Sequence, residues 1–320
     1  MGLAPDVTVD LLRAAGEPTR LRILSLLAME ELSVMELARI LDQSQPRVSR
    51  HLKLMAEAGL IERFPDGTWV FYRLPASGPA RRLADAVLDL LEDTAADRDS
   101  VCLQDVRAER YAQAAEYFAR VAPQWDQIRS LYVSEAAVEA AIERAAGPGP
   151  FRRVVDLGTG SGRMLSLLGE RAHSAIGLDL SQQMLNVARR NVAEAGLSKV
   201  ELRHGDIFAT RLPDESADLV VVHQVLHYLT DPAAAVAEAA RLIEPGGRLV
   251  IVDFAPHDHE QLRSEHQHRR LGFSDAEMAR WGREAGLVPS APIALPPDHD
   301  GLTVTIWSAD RPSRSAQRSA

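Results

Sequence analysis

The chain has 320 residues, 46% of them apolar and 25% charged, with a formal net charge of −9. That length favours two or more compact units. The acidic balance excludes a protein basic all over, while leaving room for a local positive face. Cys102 is the only cysteine, which excludes an internal disulfide framework and a zinc site built on several thiolates. No apolar run reaches the ~18 residues of a membrane span and no signal-peptide pattern opens the chain. Cytoplasm is the expected compartment, and no membrane partner is expected.

Residues 8–75 read as short helices closed by a hairpin. VDLLRAAGEPTRLRILSLLAM has apolar residues at helical spacing and breaks near Gly16 and Pro18. SVMELARILD starts a helix at Ser33, with Glu36 at capping-box distance and Leu32, Leu37 and Leu41 available for a core. SQPRVSRHLKLMAEAGL opens at Ser44 and stops at Gly59. LIERFPDGTWVFYRL sets Asp66-Gly67 between two β-prone runs, a hairpin signal. Helix, turn, helix and hairpin make a winged helix-turn-helix, an α+β unit whose second helix reads base edges while nearby cations hold phosphates. Ser44, Gln45, Arg47, Ser49 and Arg50 fall in the first two turns of that helix. Gln can pair bidentately with adenine and Arg with guanine. His51 and Lys53 are placed for phosphates, and Arg63 and Arg73 flank the wing.

PTRLRILSLL, SQPRVSRHLKLMAEAGLI and DGTWVFYRL, in that order, resemble the ArsR/SmtB family of winged-helix repressors over about residues 8–92. The resemblance implies double-stranded operator DNA as partner and a homodimer joined through the first and last helices of this domain. Metal-sensing members of the family carry cysteines on the helix before recognition. Here the aligned run is ELSVMEL, with Ser33 and Met35 at the thiolate positions, and neither is a charged soft ligand. RRLADAVLDLLED has no histidine for the family's second metal site, so no metal ligand is expected in this region.

Residues 80–145 read as helical. RRLADAVLDLLED carries Leu83, Val87, Leu90 and Leu91 on one stripe, and YAQAAEYFARVAPQWDQIRSLYVSEAAVEAAIERAA follows, interrupted at Pro123. Proline and glycine breaks at 75–79 and 146–150 bound the expected domains: a winged helix-turn-helix over 1–92, a helical linker over 93–150, an α/β Rossmann-like domain over 151–310 and a disordered tail over 311–320. The α/β reading rests on alternating strands and helices, with strands at RRVVDL, HSAIGLDL, KVELRHGD, ADLVVVH, GRLVIVDF, a weak one near PIAL, and LTVTIWSA.

FRRVVDLGTGSGRMLSLL ends an apolar strand in Asp156 and then places Gly158, Gly160 and Gly162 before a helix. Such glycines let backbone approach a ligand at the carboxyl edge of a parallel sheet. IGLDLS ends the next strand at Asp179, placed to accept both ribose hydroxyls. A dinucleotide fingerprint needs a third close glycine where Arg163 stands, because a pyrophosphate must be admitted there. S-adenosylmethionine (SAM) has no phosphate, and its ammonium suits Asp156. Asp206, after the third strand, can accept from the adenine amino group. Leu180, Met184 and Ile207 can sandwich the ring, and His223 ends the fourth strand.

These motifs resemble class I SAM-dependent methyltransferases over about residues 110–310, with the greatest likeness to small-molecule enzymes of the quinone-biosynthesis type. The resemblance implies SAM or S-adenosylhomocysteine (SAH) as ligand. It also implies that Tyr117, Phe118 and Trp125 cap the site, for which ordinary core packing is an equal alternative. HQVLHY stands where an amine-acceptor motif would follow the fourth strand, so His223 and His227 are the candidate catalytic residues. His257 and His259, then His266 and His268, form two HxH pairs, read either as a base or metal site near an acceptor or as a solvated loop. Two functions stay open. In one, the chain is a regulator sensing SAM or SAH; related ArsR-type regulators respond to SAH and control methionine-cycle genes. In the other, it is an active methyltransferase with an appended DNA-binding domain.

Overall fold

The computed structural model describes residues 4–66, 69–75, 78–91, 96–121, 135–297 and 301–313. The chain divides into two compact units, Met1–Gln113 and Ala114–Ala320.

The first unit begins with α1 (Pro5–Ala15) and α2 (Pro18–Met29), separated where Gly16 and the proline break the helical run. A short β1 (Leu32–Ser33) leads into α3 (Val34–Leu41), whose Ser33–Glu36 capping box is complete. Next come α4 (Gln45–Glu57), β2 (Glu62–Asp66), β3 (Trp69–Arg73) and α5 (Pro79–Leu88). The strands form one antiparallel sheet in the order β1-β3-β2, which makes the wing. Gly67 of the expected turn lies outside the described residues.

The core of this unit gathers Ile23, Leu24, Leu37, Leu52 and Met55, all at most 2% exposed. It also takes Leu103 and Val106 from α6 (Ala96–Val121). The sequence reading assigned those two residues to a linker. Three ion pairs fix the same stretch: Arg22 grips Asp99 through two bonds of 2.6 and 2.7 Å, Arg39 pairs with Glu109, and Arg107 with Glu30. Residues 99–109 are therefore part of the first unit.

The second unit holds α7 (Glu135–Ala146), β4 (Phe151–Leu157), α8 (Arg163–Leu168), β5 (Ala172–Asp179), α9 (Gln182–Glu194) and β6 (Val200–His204). They are followed by β7 (Ala217–His223), α10 (Pro232–Leu242), β8 (Ile243–Phe254), α11 (Gln261–Glu265) and α12 (Asp275–Glu284). Three last strands are β9 (Val288–Pro289), β10 (Ile293–Leu295) and β11 (Val304–Asp310). The eight-stranded sheet runs β10-β11-β8-β7-β4-β5-β6, with β9 also on β11. Pairings from β6 to β8 are parallel and those of β11 are antiparallel.

Side chains alternate across each strand, and the apolar runs of β4 and β7 bury both faces. Val220 and Val222 join one core with α10 and α12, while Leu219 and Val221 join the other with α7 and α8. A sheet covered on both sides leaves ligands only its carboxyl edge. There β4, β5, β7 and β8 all end. The chain thus carries a winged helix-turn-helix in its first unit and a Rossmann-like α/β domain in its second.

Candidate functional site

The loop after β4 is stitched to the end of β5. Gly158 and Thr159 both donate their backbone N–H to the Leu178 carbonyl, at 2.8 and 2.9 Å. Gly160 donates its N–H to Asp179 Oδ2 at 2.8 Å, and Ser181 donates to Oδ1 at 2.8 Å. The half-buried Asp179 carboxylate thus sets the loop's position and keeps further acceptor capacity for hydroxyls. Burial raises its pKa against the lowering effect of the Ser181 and Gly160 N–H groups.

Gly158 is required for packing as well as conformation. Its φ is +73°, and a Cβ there would lie 2.4 Å from Val225 Cγ2. The segment after β7 therefore lies directly against the glycine loop. Gly162, also at positive φ, is the N-cap of α8.

Asp156 is 1% exposed. Its Oδ2 accepts from the Thr159 hydroxyl at 2.6 Å, while Oδ1 is buried without a hydrogen-bond partner. Desolvation pushes this carboxyl up to about 7, with the Asp179 charge adding to the shift and the Thr159 bond opposing it. An orphaned carboxylate oxygen beneath a glycine loop suits a cationic ligand group. Leu180 is 39% exposed at the loop edge, while Met184 and Ile207 are packed inside at 2% and 7%. Asp206 accepts the Phe208 N–H at 2.9 Å. Tyr117, Phe118 and Trp125 lie outside the described side chains.

His223 is half-buried at the end of β7. His227 sits deeper, in the 3₁₀ turn Leu226–Tyr228. It is 1% exposed, with Nδ1 2.7 Å from Oδ1 of the fully buried Asp253 on β8. The sequence reading missed Asp253; its signal is the acid that closes the VIVDF strand next to the one carrying HQVLHY.

In the DNA-reading helix α4, Ser44, Gln45, Arg47, Arg50 and Lys53 are exposed, Ser49 is half-buried, and Lys53 lies 3.8 Å from Glu57. His51 is only 16% exposed and lies 3.6 Å from Glu17, so it faces the protein body instead of projecting towards a phosphate. Arg63 on the wing is exposed. Arg73 is not available as a phosphate contact: it bonds Glu62 at 2.8 Å and Glu31 at 3.1 Å and stacks over Phe64. Two acids on its own unit consume the charge the wing was expected to present.

Residues 17–63 match the family model of the bacterial regulatory protein, arsR family, and residues 155–251 that of the methyltransferase domain. The demethylmenaquinone methyltransferase of Thermus thermophilus is 34% identical over 148 residues, covering 43% of this chain and 64% of that one. The enzyme of the same name from Deinococcus radiodurans is 36% identical over 146 residues, covering 44% and 60%. The chain thus spans less than two thirds of these relatives. The crystal structure of the YcgJ protein from Bacillus subtilis is 19% identical and superposes with a TM-score of 0.50, over 56% of this chain and all of that one. Fold and sequence matches agree that this chain joins an arsR-family helix-turn-helix region to a methyltransferase domain of Rossmann-like fold.

Proposed function

We propose that the protein is a DNA-binding transcriptional regulator whose methyltransferase domain holds SAM or SAH, and that occupancy of this site sets its affinity for an operator. The observation that carries the ligand reading is the Gly160–Asp179 bond. It places an acid at the end of β5, against the glycine loop, with the orphaned Asp156 oxygen beneath. The exposed Gln45, Arg47 and Arg50 on α4, with Arg63 on the wing, support the DNA reading. Apolar side chains left exposed on the first helix and after α5, Val9 at 42%, Leu12 at 49% and Leu90 at 82%, support a homodimer joined there. Methionine-cycle genes are the set whose control this ligand would inform. Among the described residues no helix is long and apolar enough to cross a membrane.

The test is a titration. An operator is first selected from random duplex DNA with the protein itself, and its binding is then measured with no ligand, with SAM and with SAH. A coupling of ~1–3 kcal/mol, roughly 5–150-fold in affinity, is expected. Equal affinity in the three conditions overturns the sensor reading.

A second reading, methyl transfer to a small molecule, is favoured by the His227–Asp253 pair. The loop carrying His227 packs through Val225 onto the glycine loop. The two demethylmenaquinone methyltransferases similar to this chain are named for the same reaction class. The two readings are compatible in one chain.

A further inference from the structure

Between α10, α12 and the sheet face of β8 and β11, the second unit keeps a cavity of about 120 Å³. Ile251 and Trp307, opposite each other in the β8–β11 register, form its floor. Met278 of α12 and the prolines at 289 and 292 form its sides, and the exposed Asp275 stands at its rim. None of the lining residues belongs to the glycine loop or to the strand ends around it, so the cavity is separate from the donor site.

The chain keeps this space open against its own stability. Gly282 lies inside α12 and lines the cavity. Glycine is the weakest helix former after proline. At Gly158 a left-handed backbone and crowding explain the choice, and neither holds at 282. A Cβ there would meet Pro289 Cγ at 3.5 Å and Ala309 Cβ at 3.9 Å, ordinary contacts on a helical backbone. An alanine methyl would therefore fit, and it would fill the gap between α12 and Pro289. A void and a helix-interior glycine at one point both lower stability, and local rules broken together mark sites of function.

The lining sets the ligand chemistry. Trp307, Met278 and Ile251 are 7%, 5% and 4% exposed. An apolar cavity of ~150 Å³ stays dry and takes a benzene ring. The Met278 thioether and the indole face of Trp307 favour a ring over an alkyl chain. Asp275 Oδ1 accepts the Trp307 indole N–H at 2.7 Å, and Oδ2 keeps acceptor capacity. A carboxylate accepts and does not donate, so the ligand must bring an N–H or O–H, and an anion is turned away.

We propose that this cavity is a second small-molecule site, taking a single aromatic ring with one neutral hydrogen-bond donor. The ring lies between Trp307, Met278 and Pro289, and the donor bonds Asp275. Gly282 determines its specificity, because the absent side chain sets the room for the ring. The inference is independent of the SAM reading.

The experiment uses the full chain with p-cresol, toluene and benzoate as probes, followed by NMR at the Trp307 indole N–H and the Met278 methyl. p-Cresol should shift both signals and saturate one-to-one, with a Kd on the order of 10⁻⁴–10⁻³ M. Toluene should bind about tenfold more weakly for want of a donor, and benzoate not at all. Gly282→Ala should raise the melting point by roughly 2–4 °C and weaken p-cresol by about tenfold, with the SAH titration as in wild type. Asp275→Asn keeps an acceptor for Trp307, adds an N–H donor and should admit benzoate. No shift with p-cresol up to its solubility, equal affinity for toluene, or unchanged p-cresol affinity in Gly282→Ala overturns the proposal. A higher melting point in Gly282→Ala without p-cresol binding to wild type shows a packing defect only, and overturns it too.

Discussion

Gly160 and Asp179 are nineteen residues apart in sequence and joined by a 2.8 Å bond. The carboxylate that would take ribose hydroxyls also holds the loop on which the ligand would lie. Asp179→Ala therefore removes two things together. Each hydrogen bond to a charged group is worth about 1.5–3 kcal/mol, so SAH affinity by calorimetry should fall by roughly 100-fold. The operator titration with this variant should become flat across ligand conditions.

On the proposed ligand reading, Asp156 should make ligand affinity depend on pH. Its folded pKa of about 7 stands above the ordinary 3.8, so the folded state binds an extra proton between those values. The stabilisation this gives is complete below the lower value and is lost as pH rises towards the upper one. The stability of wild type relative to Asp156→Asn should fall as pH goes from 4 to 7, read from paired thermal melts. If the carboxylate receives the ligand ammonium, SAH affinity should move the opposite way, rising by up to about tenfold per pH unit until 7 and flattening above.

Gly158 answers to Val225 as well as to any ligand. Gly158→Ala places a methyl 2.4 Å from Val225 Cγ2 at a φ of +73°. The left-handed backbone alone costs ~1–2 kcal/mol, and the overlap adds to it. SAH binding should be lost in the single variant. Val225→Ala in the same chain should recover part of it, leaving the conformational cost.

The wing separates two arginines that look alike in sequence. Arg63→Ala should weaken operator binding and lower the slope of log K against log salt by about 0.9. Arg73→Ala should leave that slope unchanged and instead lower stability by about 1–3 kcal/mol, because it removes the charge-assisted bonds to Glu62 and Glu31.

That contrast shows what sequence could and could not supply. The strands of the second unit, apart from the two-residue β9, and the helices of the first unit were legible because their period is local: two for a strand, and a capping box for α3. DLGTGSG and IGLDLS set a glycine loop and Asp179 at two strand ends because spacing along the chain fixes both, and the Gly160–Asp179 bond joins them. The partner of Arg73 was not legible, since Glu31 lies 42 residues away and meets it only when β1 pairs with β3. Asp253 escaped for the same reason. It meets His227, in the 3₁₀ turn after β7, only when β7 pairs with β8, and the HxH pairs gave no sign that His268 turns inward while His259 does not.

The edge of the first unit was also hidden, and it carries the last prediction. A helical run says nothing about which neighbour it buries against. Leu103 at 0%, Val106 at 4% and Asp99 at 5% exposure all pack on the winged-helix side. Leu103→Ala should cost ~2–5 kcal/mol. Asp99→Ala leaves Arg22 without the acid that satisfies it and should cost a few kcal/mol, within the ~3–5 of a broken buried pair. The sharper measurement compares two fragments. One ending at residue 92, after the wing and α5, lacks all three residues and should melt early or fail to fold. One ending at residue 113 keeps them and should melt cooperatively with operator binding intact. Equal stability of the two fragments would show that α6 is a passenger on the first unit and not part of its core.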